Sequence, residues 1–221
     1  MSENNKKEPN FEKQKKTYKF FYWLLAGAAR KLYRVRVINP NNEPLDRHFI
    51  VASNHTAAAD GVIICACMKN QIRFMGKKEV FKVPVVGAFL KAIGCYPVDR
   101  KGSDVAALKT TINLLKDKDC VGIFPQGTRC PGVDPATTTV KNGVGLITVR
   151  SGADVLPVCV KSKSGAVKMF RKNYLIIGNL IKNEEFDIEN NKGAEGYQKI
   201  ADSIFAEICD LYAKTDIDNV E

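Results

Sequence analysis

Histidine, Cys-x-x-Cys pairs and long apolar runs are scarce or absent in this sequence. Its 221 residues include two histidines, His48 and His55, and seven cysteines with no Cys-x-x-Cys pair. Because zinc sites draw on clustered cysteine and histidine ligands, we expect no metal centre. The N-terminal apolar run, 20–29, falls short of the ~20 residues that cross a bilayer, which argues against a conventional transmembrane helix. An odd set of unpaired cysteines favours a reducing, cytosolic compartment.

Charge is distributed unevenly along the chain. The 34 basic and 24 acidic side chains give a net charge of +10. Residues 1–36 carry +7, residues 183–221 carry −8, and the middle carries +11. The basic parts are expected to meet a polyanion, which can be nucleic acid, an anionic membrane or a phosphorylated substrate. No helix-turn-helix, zinc or aromatic RNA-binding signature accompanies the charge, so we expect no nucleic-acid partner.

The first 36 residues divide into a polar arm and an aromatic, basic segment. Residues 1–17 are rich in lysine and lack hydrophobic periodicity, which predicts a flexible arm. Residues 18–36 place aromatic and aliphatic side chains between cations, a pattern typical of a helix that lies in the membrane interface and contacts anionic lipids. Two alternatives stay open for this segment: a first helix that packs on the domain, and a signal peptide.

Short β-rich runs alternate with helical patterns over the rest of the chain. The predicted strands cover residues 48–52, 71–75, 94–98, 120–124, 155–160 and 174–177. Apolar residues at helical spacing predict helices over 103–116 and 193–214. The basic, glycine-containing stretch 161–172 predicts a hairpin loop.

These elements predict an α/β fold, a single domain in which a mixed β-sheet is flanked by helices. The core is expected to span 37–182, followed by an acidic segment, 183–221, whose amphipathic helix packs on that core. Residues 81–94 are apolar with few charges. Two interpretations stay open for them, a lip of a hydrophobic channel near a membrane and a buried helix.

A histidine and an aspartate follow the first predicted strand. His55 and Asp60 are five residues apart, which on a continuous helix places them about 140° apart, so they meet only if His55 lies in the strand-to-helix turn. The turn-forming side chains of Ser53, Asn54 and Thr56 favour that placement. Asp60 then fixes one imidazole tautomer and leaves the other nitrogen as a general base for an alcohol. Alone, the pair is weak evidence, because a capping asparagine and a satisfied histidine also explain it.

Two further predicted strands end in polar turns that contain arginine. The residues in these turns are Asp99 and Arg100 in the first and Gln126, Gly127, Thr128 and Arg129 in the second. Glycine lets backbone N–H groups approach a ligand, threonine adds a hydroxyl, and arginine binds phosphate oxygens with its forked guanidinium. Together the two turns predict a phosphate-binding site. Taken singly, each arginine is better explained as an ordinary surface charge, with Arg100 paired to Asp99. It is the combination of the two turns after the His55 turn that favours the phosphate site.

With these blocks the sequence resembles the 1-acylglycerol-3-phosphate acyltransferases and their relatives, which acylate glycerolipids and lysophospholipids. The resemblance runs over about residues 49–160 in four ordered blocks. They are Asn54-His55-x4-Asp60, Val98-Asp99-Arg100, Phe124-Pro125-Gln126-Gly127-Thr128-Arg129 and Val155-Leu156-Pro157-Val158. Two positions depart from the family pattern: Gln126 stands where the family usually has glutamate, and Ala57 where it usually has serine.

The resemblance assigns a role to each block. It implies that His55 is the general base and Asp60 its orienting partner, while Leu156 and Pro157 belong to the wall of the substrate or acyl pocket. The residues it assigns to acceptor binding are Arg100, Gln126, Gly127, Thr128 and Arg129. No metal and no cofactor are implied.

The resemblance also implies the reaction and its setting. A fatty acyl group passes from acyl-CoA or acyl carrier protein to the free hydroxyl of lysophosphatidate or a related lysophospholipid, a step of phospholipid biosynthesis. The expected location is the cytoplasmic face of the cell membrane, as a peripheral or monotopic protein on an anionic surface. The alternative is a catalytically weak or silent lipid-binding relative of the same fold.

Overall fold

Seven strands and six α-helices occupy the residues that the computed structural model describes, 11–92, 94–98 and 104–219. The strands are β1 (Val35–Ile38), β2 (Phe49–Ser53), β3 (Ile72–Lys77), β4 (Tyr96–Val98), β5 (Cys120–Ile123), β6 (Asp154–Ser162) and β7 (Asn173–Ile177). The helices are α1 (Phe11–Leu32), α2 (Asp60–Cys67), α3 (Pro84–Ala92), α4 (Asp104–Lys116), α5 (Gly143–Ser151) and α6 (Gly193–Lys214).

The strands form one mixed sheet in the order β1-β7-β6-β2-β5-β3-β4. Strands β6, β2, β5, β3 and β4 run parallel to one another, whereas β7 is antiparallel to β6 and parallel to β1. The carboxyl ends of the five parallel strands therefore lie along one edge of the sheet. Because β2 and β5 are neighbours, the loops that follow them begin side by side at that edge.

Strand β2 is buried on both faces, which accounts for its continuous apolar sequence. Ile50 and Ala52 pack in the layer formed with α4, α5 and α6, while Phe49 and Val51 pack in the layer formed with α2. Complete burial of each large side chain contributes about 1.5–3 kcal/mol relative to exposure. The residues that follow β2 are thus attached to a strand that is buried at every position.

The structure confirms the mixed sheet, the single α/β domain and the predicted strands. Helices α4 and α6 confirm the predicted helical spacing, and Ile200, Ile204 and Ile208 on α6 are buried in the core. The antiparallel pair β6 and β7 confirms the hairpin. Strand β1 was not predicted, because four residues with one exposed position carry too short a pattern; it forms by pairing with β7.

Helix α1 has boundaries that differ from the predicted arm at 1–17 and helix at 18–36. It begins at Phe11 and ends at Leu32, after which Arg34 adopts a left-handed φ of 46° that stops the helix. The residues before Phe11 lie outside the described part of the chain. Among the described residues, no helix has both the length and the apolar character needed to cross a membrane.

Helix α3 covers residues 84–92 of the apolar stretch 81–94, and it is largely exposed. Val85 is 81% exposed and Val86 is also exposed. A glycine is required at position 87, since a Cβ there would lie 2.1 Å from the carbonyl oxygen of Phe81. The interpretation as a buried helix is therefore wrong for the outer face of α3.

Candidate active site

His55 lies in the turn between β2 and α2, as its spacing to Asp60 predicts. Its ring Nδ1 is 2.9 Å from Oδ2 of Asp60. A carboxylate only accepts hydrogen bonds, so in the neutral imidazole Nδ1 carries the proton and Nε2 keeps its lone pair. The predicted juxtaposition of the two side chains is confirmed.

The carboxylate of Asp60 is completely buried and organises the whole turn. Its Oδ2 also accepts the backbone N–H groups of Thr56 at 2.5 Å and Ala57 at 2.8 Å, and Oδ1 accepts the Thr56 hydroxyl at 3.0 Å. Together with Nδ1 of His55, four donors surround one carboxylate. Asp60 therefore shapes the turn and orients the imidazole at the same time.

Asn54 ties this turn to strand β6. Its Nδ2 donates to the carbonyl oxygen of Val160 and its Oδ1 accepts the Val160 N–H, both at 2.8 Å. Helix α2 has Ala59 at its N-cap without a side-chain bond, so Asn54 is not the capping residue that the alternative interpretation assumed. It is a buried bridge that fixes the backbone next to His55.

The loop after β5 holds His55 by three contacts. The ring of Phe124 stacks on the imidazole with centroids 4.0 Å apart and an interplanar angle of 11°. The side-chain oxygen of Gln126 accepts the His55 N–H at 2.7 Å, and the Cys130 N–H donates to the His55 carbonyl at 2.8 Å. The imidazole is held in place with 18% of the side chain exposed.

Gln126 is a support for His55, whereas the sequence analysis expected it to bind the acceptor. The side chain is 5% exposed and both ends of its amide are used within the protein. Its Nε2 donates to the hydroxyl oxygen of Thr138 at 2.8 Å. That hydroxyl donates in turn to the carbonyl of Pro135 at 2.7 Å, so towards Gln126 it acts as an acceptor. An amide, with one accepting and one donating end, fits this position.

Gly127, Thr128 and Arg129 form an exposed turn directly beside the His55 loop. Gly127 has a φ of +67°, which glycine adopts without strain. Lys141, which the sequence analysis missed, is joined to this block because its backbone N–H donates to the Pro125 carbonyl at 2.9 Å. Lys141 lies twelve positions after Arg129 and no motif links them, so only the fold brings Lys141 to this turn.

Two other predicted blocks have different outcomes. Asp99 and Arg100 lie outside the described residues; strand β4, which precedes them, ends at Val98 along the same sheet edge as β2 and β5. Leu156 and Pro157 are buried within β6. Leu156 packs in the core layer formed with α2. The assignment of this block to the wall of a substrate or acyl pocket stays a prediction.

Comparison with known proteins identifies the family. A family model described as Acyltransferase matches residues 34–161, the stretch that holds His55, Asp60 and the Gly127–Arg129 turn. The chain belongs to the acyltransferase family. This acyltransferase is 35% identical over 155 residues to the 1-acyl-sn-glycerol-3-phosphate acyltransferase of Bacillus subtilis, covering 69% of this chain and 76% of that protein.

Further relatives agree with this assignment. The 1-acyl-sn-glycerol-3-phosphate acyltransferase of Streptococcus pneumoniae is 29% identical over 162 residues, which cover 70% of this chain and 57% of that protein. The crystal structure of the 1-acyl-sn-glycerophosphate acyltransferase from Thermotoga maritima matches with a TM-score of 0.71 at 24% identity, covering 92% of this acyltransferase and 84% of that chain. The overall fold is therefore shared.

An aromatic row extends from the histidine of this acyltransferase to strand β3. Phe74 on β3 lies with its ring centroid 5.3 Å from that of Phe124, which stacks on His55. Gly122 makes room for this row, because a Cβ there would lie 2.2 Å from the Phe74 ring. The imidazole thus has an apolar wall on the face that Phe124 covers, and the exposed Gly127–Arg129 turn lies in the same loop as Phe124.

Proposed function

We propose that this acyltransferase transfers a fatty acyl group from a thioester donor to the free hydroxyl of 1-acylglycerol 3-phosphate, with His55 as the general base. The observation that carries the proposal is the 2.9 Å contact between Nδ1 of His55 and the buried carboxylate of Asp60, which leaves Nε2 to accept a proton. The names of the Bacillus subtilis and Streptococcus pneumoniae relatives support this choice of acceptor.

In the proposed step, the acceptor hydroxyl loses its proton to Nε2 of His55 while its oxygen attacks the thioester carbonyl carbon. The new carbon–oxygen bond forms, the carbon–sulfur bond breaks, and the proton passes from the imidazolium to the departing thiolate. Asp60 stabilises the imidazolium during this transfer. The acyl donor, acyl-CoA or acyl carrier protein, is the co-substrate, and the balance of atoms requires no further cofactor.

The acceptor phosphate is proposed to bind at the Gly127–Arg129 turn. The Arg129 guanidinium offers forked donors to phosphate oxygens, and Thr128 adds a hydroxyl. Both side chains are exposed, and the Cys130 N–H at the end of the turn bonds to the His55 carbonyl. A phosphate at this turn would therefore lie close to the base. Arg100 remains a predicted second ligand.

The proposal is tested with a panel of acceptors and two labelled donors, acyl-CoA and acyl carrier protein, with the products identified by mass spectrometry. We expect a diacylated phosphate product from 1-acylglycerol 3-phosphate. If the protein binds lipid but transfers no acyl group to any acceptor, it is the catalytically silent lipid-binding relative of the same fold.

We further propose that α1 and α3 contact the cytoplasmic face of the cell membrane, with the protein peripheral or monotopic. Helix α1 contacts α3 and also α2, the helix that begins at Asp60, so these helices lie beside the active-site turn. The exposed apolar side chains of α1 and of residues 83–86 include Phe20, Leu24, Val83, Val85 and Val86. Exposed Lys19, Lys82 and Lys91 adjoin them in sequence. An apolar face bordered by cations suits an anionic lipid surface.

Val85→Glu is expected to weaken binding to anionic vesicles by about tenfold or more, because it removes an apolar side chain from the interface and adds a repelled charge. Val105→Glu is the matched control, since Val105 is a 67% exposed valine on α4. Vesicle sedimentation at fixed salt measures both variants. Equal binding by Val85→Glu and the parent would refute the assigned surface.

Gln126→Glu is expected to change both stability and pH dependence. In the variant, a carboxylate oxygen replaces the amide nitrogen that donates to the Thr138 hydroxyl. Either the hydroxyl rotates to donate to the carboxylate and loses its hydrogen bond to the Pro135 carbonyl, or two oxygens face each other with no proton between them. We expect a loss of about 1–3 kcal/mol in the free energy of unfolding. The new negative charge also favours imidazolium, which moves the acidic limb of the rate profile to higher pH.

The measurements for Gln126→Glu are kcat/KM against pH and thermal unfolding. Thr138→Ser serves as the control, because it keeps the hydroxyl that the amide requires. Unchanged stability together with an unchanged pH profile would show that the amide is not needed at this position.

A further inference from the structure

Lys141 lies against the glycine that opens the Gly127–Arg129 turn. Its Cδ, Cε and Nζ atoms are 3.0, 3.1 and 3.5 Å from the position that a Cβ on Gly127 would occupy. Its backbone is fixed separately by the hydrogen bond to the Pro125 carbonyl. The missing side chain of Gly127 therefore opens a path along which the lysine stem reaches the turn.

The turn consequently has two cations. Lys141 and Arg129 are both exposed, and neither forms an ion pair with a carboxylate of the described residues. Two positive side chains gathered at one turn without a counter-charge favour the binding of an anion with more than one negative charge. The number of negative charges on the acceptor headgroup therefore affects how tightly it binds at this turn.

We infer that Lys141 determines the specificity of the acceptor site by selecting a phosphomonoester over a phosphodiester headgroup. The inference rests on the proposed function, because it assigns the acceptor phosphate to the Gly127–Arg129 turn. A phosphate monoester carries about −1.5 to −2 charges at pH 7 and exposes three oxygens. Arg129 can bind two of those oxygens through its fork, and the Lys141 ammonium binds the third. A diester offers one charge and two free oxygens, so it gains less from the second cation.

The experiment compares the full chain with Lys141→Met, which keeps an unbranched stem over Gly127 and removes the charge. Lys141→Arg retains the charge, and Lys109→Met on the exposed surface of α4 controls for the loss of one surface cation. The acceptors are 1-acylglycerol 3-phosphate and a 1-acylglycerophosphoglycerol with the same acyl chain. Values of kcat and KM are measured for each acceptor and for the acyl donor.

We expect Lys141→Met to raise the KM of the monoester about tenfold with kcat changed less than about twofold, as for loss of one charge-assisted hydrogen bond. The KM of the diester rises less than about threefold, so the preference for the monoester falls. Lys141→Arg keeps most of the preference, and Lys109→Met keeps all of it. A merely structural lysine would not shift the ratio between two acceptors.

Three results would overturn the inference. An equal loss of kcat/KM for both acceptors indicates a structural role. A rise in the KM of the acyl donor alone assigns the Lys141 ammonium to a phosphate of the donor. Unchanged kcat and KM values for all substrates indicate an ordinary surface lysine. Lys141→Gln repeats the test if the methionine variant folds poorly. A parent chain that acylates neither acceptor would overturn the proposed function itself, which is distinguishable because that failure appears before any substitution.

Discussion

His55→Ala is expected to lower kcat for acyl transfer by about 10³-fold, because removal of the hydroxyl proton depends on the imidazole. The contacts of Gln126 and Cys130 are made with the backbone of residue 55, so they survive the substitution. The substitution removes the stacking of the imidazole on Phe124 and one hydrogen-bond donor to the Asp60 carboxylate. We therefore expect a folded variant that binds vesicles as the parent does.

The other histidine provides the control for this result. His48 precedes β2 at the opposite end of the strand from His55, so His48→Ala should keep the kcat of the parent. Single-turnover assays with a labelled donor measure transfer, and thermal unfolding and vesicle sedimentation check the fold and lipid binding. Equal turnover by His55→Ala and the parent would remove the assigned base and with it the proposed mechanism.

Asp60→Asn is expected to lower kcat by about 10²- to 10³-fold with the fold retained, because the charge that stabilises the imidazolium is lost. The amide oxygen can still accept the N–H groups of Thr56, Ala57 and the His55 ring, and the amide nitrogen can donate to the Thr56 hydroxyl oxygen. Geometry is thus kept while charge is removed. Because the neutral amide stabilises the imidazolium less than the carboxylate does, the acidic limb of the plot of kcat/KM against pH moves to lower pH.

Two further variants separate charge from structure. Asp60→Ala leaves the buried Thr56 and Ala57 N–H groups without an acceptor, so the free energy of unfolding should fall by about 2–5 kcal/mol. Glu43→Gln is the matched control, since Glu43 is another buried carboxylate that accepts backbone N–H groups, those of Lys69 and Asn70. It should leave kcat unchanged. An Asp60→Asn enzyme with the kcat of the parent would show that the carboxylate charge plays no part in the reaction.

The meeting of His55 and Asp60 was predictable because it depends on six consecutive residues. Side chains that favour turns precede an apolar helix, and the five-residue spacing allows contact only from the turn. Helices α4 and α6 were predictable for a similar reason, since their apolar periodicity reports one buried face. Local order in the sequence is sufficient in such cases.

The role of Gln126 was not predictable, because the direction of its side chain depends on a distant partner. The amide turns inward to reach the backbone of His55, which happens only because β5 lies beside β2 in the sheet. Lys141 reaches Gly127 for a different reason: the connection between β5 and α5 folds back on itself, and the Lys141 N–H donates to the Pro125 carbonyl. The exposure of Val85 was not predictable either, because it depends on which other elements pack against α3. An apolar sequence does not by itself show whether the helix it forms is buried or exposed.

By itself, then, the amino-acid sequence determined the family, the mixed α/β architecture and the pairing of a histidine with an aspartate, since each arises from short-range patterns and the order of motifs. The tertiary structure decided that Phe124 and Gln126 support His55, that Lys141 joins the Gly127–Arg129 turn and that the outer face of α3 stays uncovered. The physical reason is that hydrogen bonds and burial act between groups close in space, and the neighbours of a loop are set by pairing between strands that lie far apart in the chain.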